Sequence, residues 1–199
     1  MIRPAAVMAA TISAVVLVAG CAGPTTARRP GERPSSAAAT AALEHRAGLA
    51  ACPHATRGRA GQLPDLRLPC LGGGNPVPIA RVGGTPMIVN IWASWCRPCY
   101  QEMPAIQRVY AEAGGRLRVL GVDTTDSRDR ALHAAIDTGV RYPSVFDPQH
   151  RVATALGRNV QPTTVFVRSD GSIAKIRTGP VGDAGQLAVL VRRYLGVAL

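Results

Sequence analysis

Residues 87–99 read MIVNIWASWCRPC, and this stretch decides the fold. Its first six residues form a nearly continuous apolar run, which predicts a strand buried on both faces. From Pro98 to Ala113 the apolar residues follow helical spacing, interrupted by Pro104, and two glycines then end the helix. The two cysteines therefore lie between a buried strand and the first turn of a helix.

The CRPC sequence at the start of that helix predicts thiol–disulfide chemistry. The thiolate is the reactive form of cysteine, and the dipole and unpaired N–H groups of a helix N-terminus stabilise it. We expect Cys96, at the exposed end, to attack as the nucleophile. Cys99, a turn further in, is expected to resolve the mixed disulfide. Because the cysteines carry the electrons themselves, we predict that no soluble cofactor is required.

The rest of the chain alternates short strands with helices. Ser127 is placed to cap a helix that runs to Thr138, and Asp183 is placed to cap a final helix. Strands are expected at 63–68, 77–79, 117–122, 142–146, 163–168 and 173–177, and short helices at 40–51 and 151–156. This order predicts an α/β fold in which helices cover a mixed sheet.

Residues 90–99, followed by EMP at 102–104, resemble the active-site region of the thioredoxin superfamily. Within it, the chain is similar to the membrane-tethered TlpA/ResA-like branch. QPTT at 161–164 resembles the family's cis-proline loop, and residues 123–147 resemble the central insertion of the branch. The resemblance, which covers Leu63 to the C-terminus, implies a thioredoxin-like fold with an N-terminal β-hairpin and a central helical insertion. We place this domain over 51–199.

The resemblance adds two residues to the catalytic cysteines, Glu102 and Pro162. Many thioredoxins carry aspartate where this chain has Asn90, which cannot titrate, so the role of buried acid passes to Glu102. Burial raises the pKa of a carboxylate, which suits it to relay protons to or from Cys99. The alternatives are a solvated Glu102 and a trans bond before Pro162 at the start of a strand.

Four residues are expected to contact the substrate. If the bond after Gln161 is cis, its backbone faces the nucleophile and pairs with an extended substrate segment. Trp95 shapes the surface beside the disulfide, and Pro98 occupies a first turn that needs no N–H donor there. Arg97 occupies a position where glycine is common in the family. Its charge favours the thiolate of Cys96, which should give the Cys96–Cys99 pair a more oxidising reduction potential.

The remaining cysteines of the domain, Cys52 and Cys70, are predicted to form a structural disulfide. A second redox relay is the alternative, although neither cysteine has a CxxC partner. A zinc site at the CxxC pair would need a second pair of ligands, for which Cys52 with His54, and Cys70, are the candidates. We predict no metal site.

The N-terminus is interpreted as a targeting segment that is not part of the folded domain. Residues 1–20 carry a positive residue and an apolar stretch that is short for a bilayer, followed by Cys21, and so resemble a bacterial lipoprotein signal peptide. Lipid on Cys21 would hold the protein on the extracytoplasmic face of the cell membrane. An ordinary signal or uncleaved anchor is the alternative. Residues 21–50, rich in Pro, Ala, Thr, Ser and Gly, predict a flexible tether.

The formal net charge of +11 does not indicate a nucleic-acid partner, because the basic residues are scattered and aromatic residues make up only 4%. The resemblance implies instead that the partners are exported protein thiols, apocytochrome c among them, and a membrane-embedded thiol electron donor. The branch includes both reductants and oxidants, so the direction of electron flow stays open. A copper-binding chaperone, a thiol peroxidase and a purely structural lipoprotein are the other hypotheses.

Overall fold

The computed structural model describes residues 36–56 and 61–199. The predicted signal peptide at 1–20 and the predicted lipidation site Cys21 lie outside the described residues. The helices are α1 Ser36–Ala47, α2 Arg97–Ala113, α3 Arg128–Thr138, α4 Arg151–Ala155 and α5 Ala184–Leu195. The strands are β1 Arg67–Leu68, β2 Val77–Pro78, β3 Met87–Trp92, β4 Arg118–Thr124, β5 Ser144–Asp147, β6 Thr163–Val167 and β7 Ile173–Thr178.

Five strands form the central sheet, in the order β5-β4-β3-β6-β7. The strands β4 and β5 run parallel to β3, while β6 pairs antiparallel with it and β7 antiparallel with β6. β1 and β2 form a separate antiparallel hairpin. This mixed sheet confirms the predicted α/β class.

The core lies on both faces of the sheet, and β3 contributes to each. Ile88 and Trp92 belong to an apolar cluster shared with α2, α3 and α5. Val89 and Ile91 belong to a second cluster that includes residues of the β1–β2 hairpin. All six residues of β3 are buried, as the apolar run predicts, so its carboxyl end fixes the start of residues 93–96, called the cysteine loop below.

Part of the predicted tether is folded. Residues 36–47 form α1, whose alanine-rich sequence has a high helix propensity. Ala47 is buried, and the carboxylate of Glu44 accepts a hydrogen bond from Arg128 Nη1 of α3 at 2.9 Å. The folded part of the chain therefore begins before residue 51, and a tether over 21–50 is too long at its C-terminal end.

The N-terminal hairpin is present but shorter than predicted. Its strands have only two residues each, with Leu68 paired to Val77. Pro64 and Pro69 flank the first strand, and proline cannot donate a ladder hydrogen bond. The periodicity of residues 63–68 predicted the position of the first strand correctly, and the prolines limit the length of that strand.

Candidate active site

Cys96 is the N-cap residue of α2, immediately after the loop that leaves β3. Its backbone is extended, and its Sγ accepts a hydrogen bond from the backbone N–H of Cys99 at 3.3 Å. Pro98 lies in the first turn of α2, where a backbone N–H would have no partner within the helix, so proline costs no hydrogen bond. A thiolate at Cys96 would accept a hydrogen bond from the same N–H and would be stabilised by the positive end of the helix dipole.

The two cysteines form a disulfide, and they differ in their access to solvent. Cys96 is 5% exposed and Cys99 is 0% exposed. An incoming thiol or disulfide can therefore reach the sulfur of Cys96 more readily than that of Cys99. This difference supports the predicted division of roles into nucleophile and resolving cysteine.

The surface around Cys96 presents three of the predicted substrate-contacting residues. Arg97 and Pro98 are exposed, and Trp95 is 57% exposed. The indole Nε1 of Trp95 donates to the backbone carbonyl of Thr125 at 3.0 Å, which fixes the ring against the loop after β4. Trp95 thus offers a fixed apolar face beside the disulfide.

The fourth predicted contact residue lies at the same edge of the sheet. The Gln161–Pro162 bond is cis, and the following strand begins with Thr163 paired to Ile91 of β3. Since β3 and the start of β6 are paired there, the loop before β6 lies next to the loop that carries the cysteines. Pro162 itself is buried.

Glu102 lies in α2, is only 1% exposed, and receives two hydrogen bonds. Asn90 Nδ2 donates to its Oε1 at 2.8 Å, and the backbone N–H of Val181 donates to its Oε2 at 2.9 Å. Burial raises the pKa of Glu102 to about 7, and the two hydrogen bonds and the charge of Arg177 oppose that rise only in part. Near neutral pH the carboxyl group can therefore take up or release a proton, as a relay requires.

The Asn90 amide suits both states of Glu102. Its Oδ1 is buried and, in the described part of the chain, has no hydrogen-bond partner while Nδ2 donates to the carboxylate. Rotation of the amide by half a turn would bring Oδ1 to face a protonated Glu102, which could then donate to it. Asn90, which cannot titrate, can therefore keep a hydrogen bond to Glu102 in both protonation states of Glu102.

Three residues that the sequence did not single out also join the site. Asp126 Oδ2 accepts from the backbone N–H of Ser94, two residues before Cys96, at 2.6 Å. His150 Nδ1 lies 2.9 Å from Thr124 Oγ1 and 3.4 Å from Gln161 Nε2, and so links the end of β4 to the cis-proline loop. Asp123 is the third, a buried acid at the end of β4. An acid directly after the apolar run 117–122 was the available signal.

Cys52 and Cys70 are joined by the second disulfide, with their Cα atoms 6.0 Å apart. Cys70 forms an isolated bridge with Val145 of β5, and Cys52 Sγ lies 3.3 Å from the carbonyl of Ser144. The bond fastens the segment after α1 to the hairpin and to an edge strand of the sheet. Its structural role stays a prediction.

Within residues 36–56 and 61–199, no three His, Cys, Asp or Glu side chains are grouped so as to hold a metal ion. In the same part of the chain, no helix combines the length and the apolar character needed to cross a membrane.

Comparisons with known proteins agree with this geometry. Residues 60–176 match the family model described as the AhpC/TSA family. The thiol:disulfide interchange protein DsbE of Allochromatium vinosum is 33% identical over 138 residues, which cover 67% of this chain and 73% of DsbE. The thiol-disulfide oxidoreductase ResA of Geobacillus thermodenitrificans is 31% identical over 99 residues, 48% of this chain and 56% of ResA.

A solved structure supports the same fold. The crystal structure of a DsbF homologue from Corynebacterium diphtheriae superimposes with a TM-score of 0.59 at 26% identity, over 71% of this chain and 91% of that one. This similarity agrees with the predicted thioredoxin-like fold.

Proposed function

Because the chain belongs to the AhpC/TSA family and is a thiol–disulfide oxidoreductase, we propose that it reduces disulfides of exported proteins, with apocytochrome c as its substrate. The observation that carries the proposal is the buried Glu102 behind a CxxC pair, since its pKa of about 7 suits it to accept the proton of the resolving thiol. The resemblance to the TlpA/ResA-like branch supports the choice of substrate.

The reductive cycle can be written on the residues in place. The thiolate of Cys96 attacks the substrate disulfide, forms a mixed disulfide and releases one substrate thiolate, which takes a proton. Glu102 accepts the proton of Cys99, whose thiolate attacks the sulfur of Cys96 and releases the second substrate thiolate, which then takes the proton held by Glu102. The substrate gains two electrons and two protons, and the Cys96–Cys99 disulfide remains for a membrane-embedded thiol donor to reduce.

The proposed place of action is the extracytoplasmic face of the cell membrane. The lipoprotein-like residues 1–20 and Cys21 support it, as does the Cys52–Cys70 disulfide, a bond that persists in oxidising compartments. Replacing Cys21 by alanine in the full chain should move the protein from the membrane fraction to the soluble fraction. Retention of the variant in the membrane fraction would contradict the lipid anchor.

An oxidant of exported proteins is the second candidate, and Arg97 favours it. Its exposed guanidinium follows Cys96 directly, and a positive charge stabilises the thiolate and makes the disulfide a stronger oxidant. The peroxidase and copper hypotheses have no comparable observation in their favour.

The reduction potential of the Cys96–Cys99 pair decides between the two directions. The full chain, solubilised in detergent, is equilibrated with glutathione or dithiothreitol, and the free thiols are counted by alkylation and mass. A potential near that of thioredoxin, about −270 mV, supports the reductant, and one near about −120 mV supports the oxidant. Cys52→Ala with Cys70→Ala is the control that assigns the measured equilibrium to the CxxC pair.

Substrate choice needs a separate experiment. In Cys99→Ser the mixed disulfide on Cys96 cannot be resolved, so an apocytochrome peptide with an oxidised CxxCH segment should accumulate as a covalent adduct. Cys96→Ser is the matched control and should form none. Equal trapping of an unrelated disulfide peptide would remove the assignment to cytochrome maturation and leave the oxidoreductase activity intact.

A further inference from the structure

Asp123 is a buried acid that the reaction described above does not use. It lies in β4 opposite Trp92 of β3 and is 0% exposed. Among the described residues, no N–H or O–H group donates to either carboxylate oxygen, and the side chain in hydrogen-bond contact with Asp123 is that of Asp126. An ionised carboxylate in such a place is strongly unfavourable, because nothing replaces the water it has lost.

The neighbouring Asp126 has the opposite environment. Its side chain is also fully buried, but its oxygens accept from the backbone N–H of Ser94 at 2.6 Å, that of Ser127 at 2.8 Å and Arg130 Nε at 3.1 Å. These donors stabilise the charged form of Asp126. Of the two acids, Asp126 is therefore the one suited to carry the negative charge.

Among the described residues, the cation that acts on Asp123 is Arg128, whose charge lowers the pKa of Asp123 but does not offset its burial. Arg128 of α3 faces it, but its Nη1 is already bonded to Glu44 and to two backbone carbonyls. Asp147 of β5 adds a further negative charge, itself 3.6 Å from Arg151 of α4. His150, before α4, is turned to Thr124 Oγ1, next to Asp123 in the strand. Burial, followed by the charge of Asp126, raises the pKa of Asp123 to about 9.

We propose that Asp123 and Asp126 share one proton, with neutral Asp123 donating to Asp126, and that this acid pair positions the Ser94–Trp95 turn in front of Cys96. Asp126 holds the turn through the Ser94 N–H, while Thr125 holds it through the Trp95 indole. The inference rests on the thiol–disulfide activity proposed above. Asp123 is a positioning residue, since it acts on the nucleophile only through the turn.

The acid pair gives the site an upper pH limit. When Asp123 loses its proton, two like charges face each other in a buried space and repel. Asp126 can relieve the repulsion by moving away, and its bond to the Ser94 N–H then weakens. The cysteine loop loses one of its anchors, and the reactivity of Cys96 changes at the pH where Asp123 ionises.

Selective ¹³C labelling of the aspartates allows the shared proton to be observed by NMR in the full chain. In the wild-type protein the Asp123 carboxyl carbon should keep the shift of a protonated acid at pH 7 and titrate near pH 9. The amide proton of Ser94 should move with the same midpoint. Asp123→Asn, which keeps the shape and can still donate to Asp126, should abolish the titration of the Ser94 amide.

Two further variants test the pairing and its effect. Asp126→Asn removes the like charge, so the midpoint of Asp123 should fall to a lower pH. The iodoacetamide rate of reduced Cys96 should show an inflection at the Asp123 midpoint in the wild type and none in Asp123→Asn. Asp129→Asn, a change of the same kind at an exposed position of α3, is the control and should keep the inflection.

The outcomes separate this inference from the proposed function. If no aspartate carbon titrates above pH 7, or if the Ser94 amide does not follow Asp123, the acid pair is refuted while disulfide exchange stands. If Cys96→Ser exchanges disulfides as well as the wild type does, the proposed function fails whatever the aspartates do.

Discussion

Replacing Glu102 by glutamine should make the protein more stable at alkaline pH than the wild type, and less dependent on pH. Glu102 is almost fully buried, and its pKa rises from the ordinary 4.5 to about 7 in the folded protein. Between these two values the folded state binds a proton that the unfolded state does not. The free energy of unfolding therefore falls as the pH rises through this window.

The magnitude follows from the size of the pKa change. Each pKa unit corresponds to about 1.4 kcal/mol, so complete ionisation of Glu102 costs the wild-type protein about 3 kcal/mol. From pH 5 to pH 8 the expected fall due to this residue is roughly 2.5 kcal/mol. Below pH 4.5 this cost vanishes, because Glu102 is protonated in both the folded and the unfolded protein. Above pH 7 the cost approaches a constant value, because Glu102 is ionised in both.

Glutamine can be accommodated at this position. Its Oε1 can accept from the Val181 N–H, as Glu102 Oε2 does now, and its Nε2 can donate to Asn90 Oδ1 after the Asn90 amide rotates. The variant therefore keeps two hydrogen bonds and loses only the titration. The same change should remove from the pH profile of disulfide exchange the step near pH 7 that Glu102 contributes.

The measurement is chemical denaturation of the oxidised wild type and Glu102→Gln at pH 5, 6, 7 and 8. The difference between the two proteins isolates Glu102, because every other titrating group is common to both. The advantage of the glutamine variant should grow by roughly 2.5 kcal/mol over this range. Parallel curves would refute the reasoning, since they would mean that Glu102 is ionised with its ordinary pKa in the folded protein.

Three further predictions concern stability. Replacing Cys52 and Cys70 together by alanine should lower the free energy of unfolding by about 3 kcal/mol in a denaturation experiment, while an insulin-reduction assay shows continued exchange. Arg128→Met should cost about 2 kcal/mol and increase hydrogen exchange in α1, because it removes the ion pair and two carbonyl contacts. Gly121→Ala should cost about 2 kcal/mol or more in thermal unfolding, since its Cβ would come within 2.9 Å of the Trp92 ring nitrogen.

Each of these has an outcome that contradicts it. Loss of exchange in the Cys52 and Cys70 double variant would favour a second redox pair over a structural bond. Unchanged protection of α1 in Arg128→Met would mean that apolar packing alone holds the helix. An unchanged melting temperature of Gly121→Ala would contradict the steric argument, and the matched control is Gly83→Ala, whose Cβ would meet its nearest atom only at 3.7 Å, an ordinary contact.

The sequence predicted best the elements whose signals are local. The bounds of β3 are those of its apolar run, and Ser127 caps a helix that ends at Thr138, as its pattern indicates. The Asp183 cap of α5 is also present. In each case the residues that start and stop the element lie within or beside it, so no distant contact has to be known.

What the sequence could not supply depends on contacts between distant residues. The pairing of α1 with α3 through Glu44 and Arg128 joins residues 84 positions apart. Glu102 could be predicted as a buried acid from its helix position, but not its bond to Val181, 79 positions away. The link from His150 to Gln161 of the cis-proline loop, only 11 positions away, was missed for a different reason, because an isolated histidine in a loop carries no pattern.

The strand order also has a consequence for the time at which the site forms. The cysteine loop lies between β3 and α2, so it can form from local contacts, whereas its neighbouring loop arrives only when Thr163 pairs with Ile91. Pairings between residues so far apart in sequence form late, because closing a long loop has a large entropic cost. The bond from Val181 to Glu102 requires a still longer stretch of chain. During synthesis, the reactive cysteines and Glu102 are therefore present before Val181, which holds the Glu102 carboxylate, and a chain interrupted before residue 163 would carry Cys96 without the strand that brings the cis-proline loop beside it.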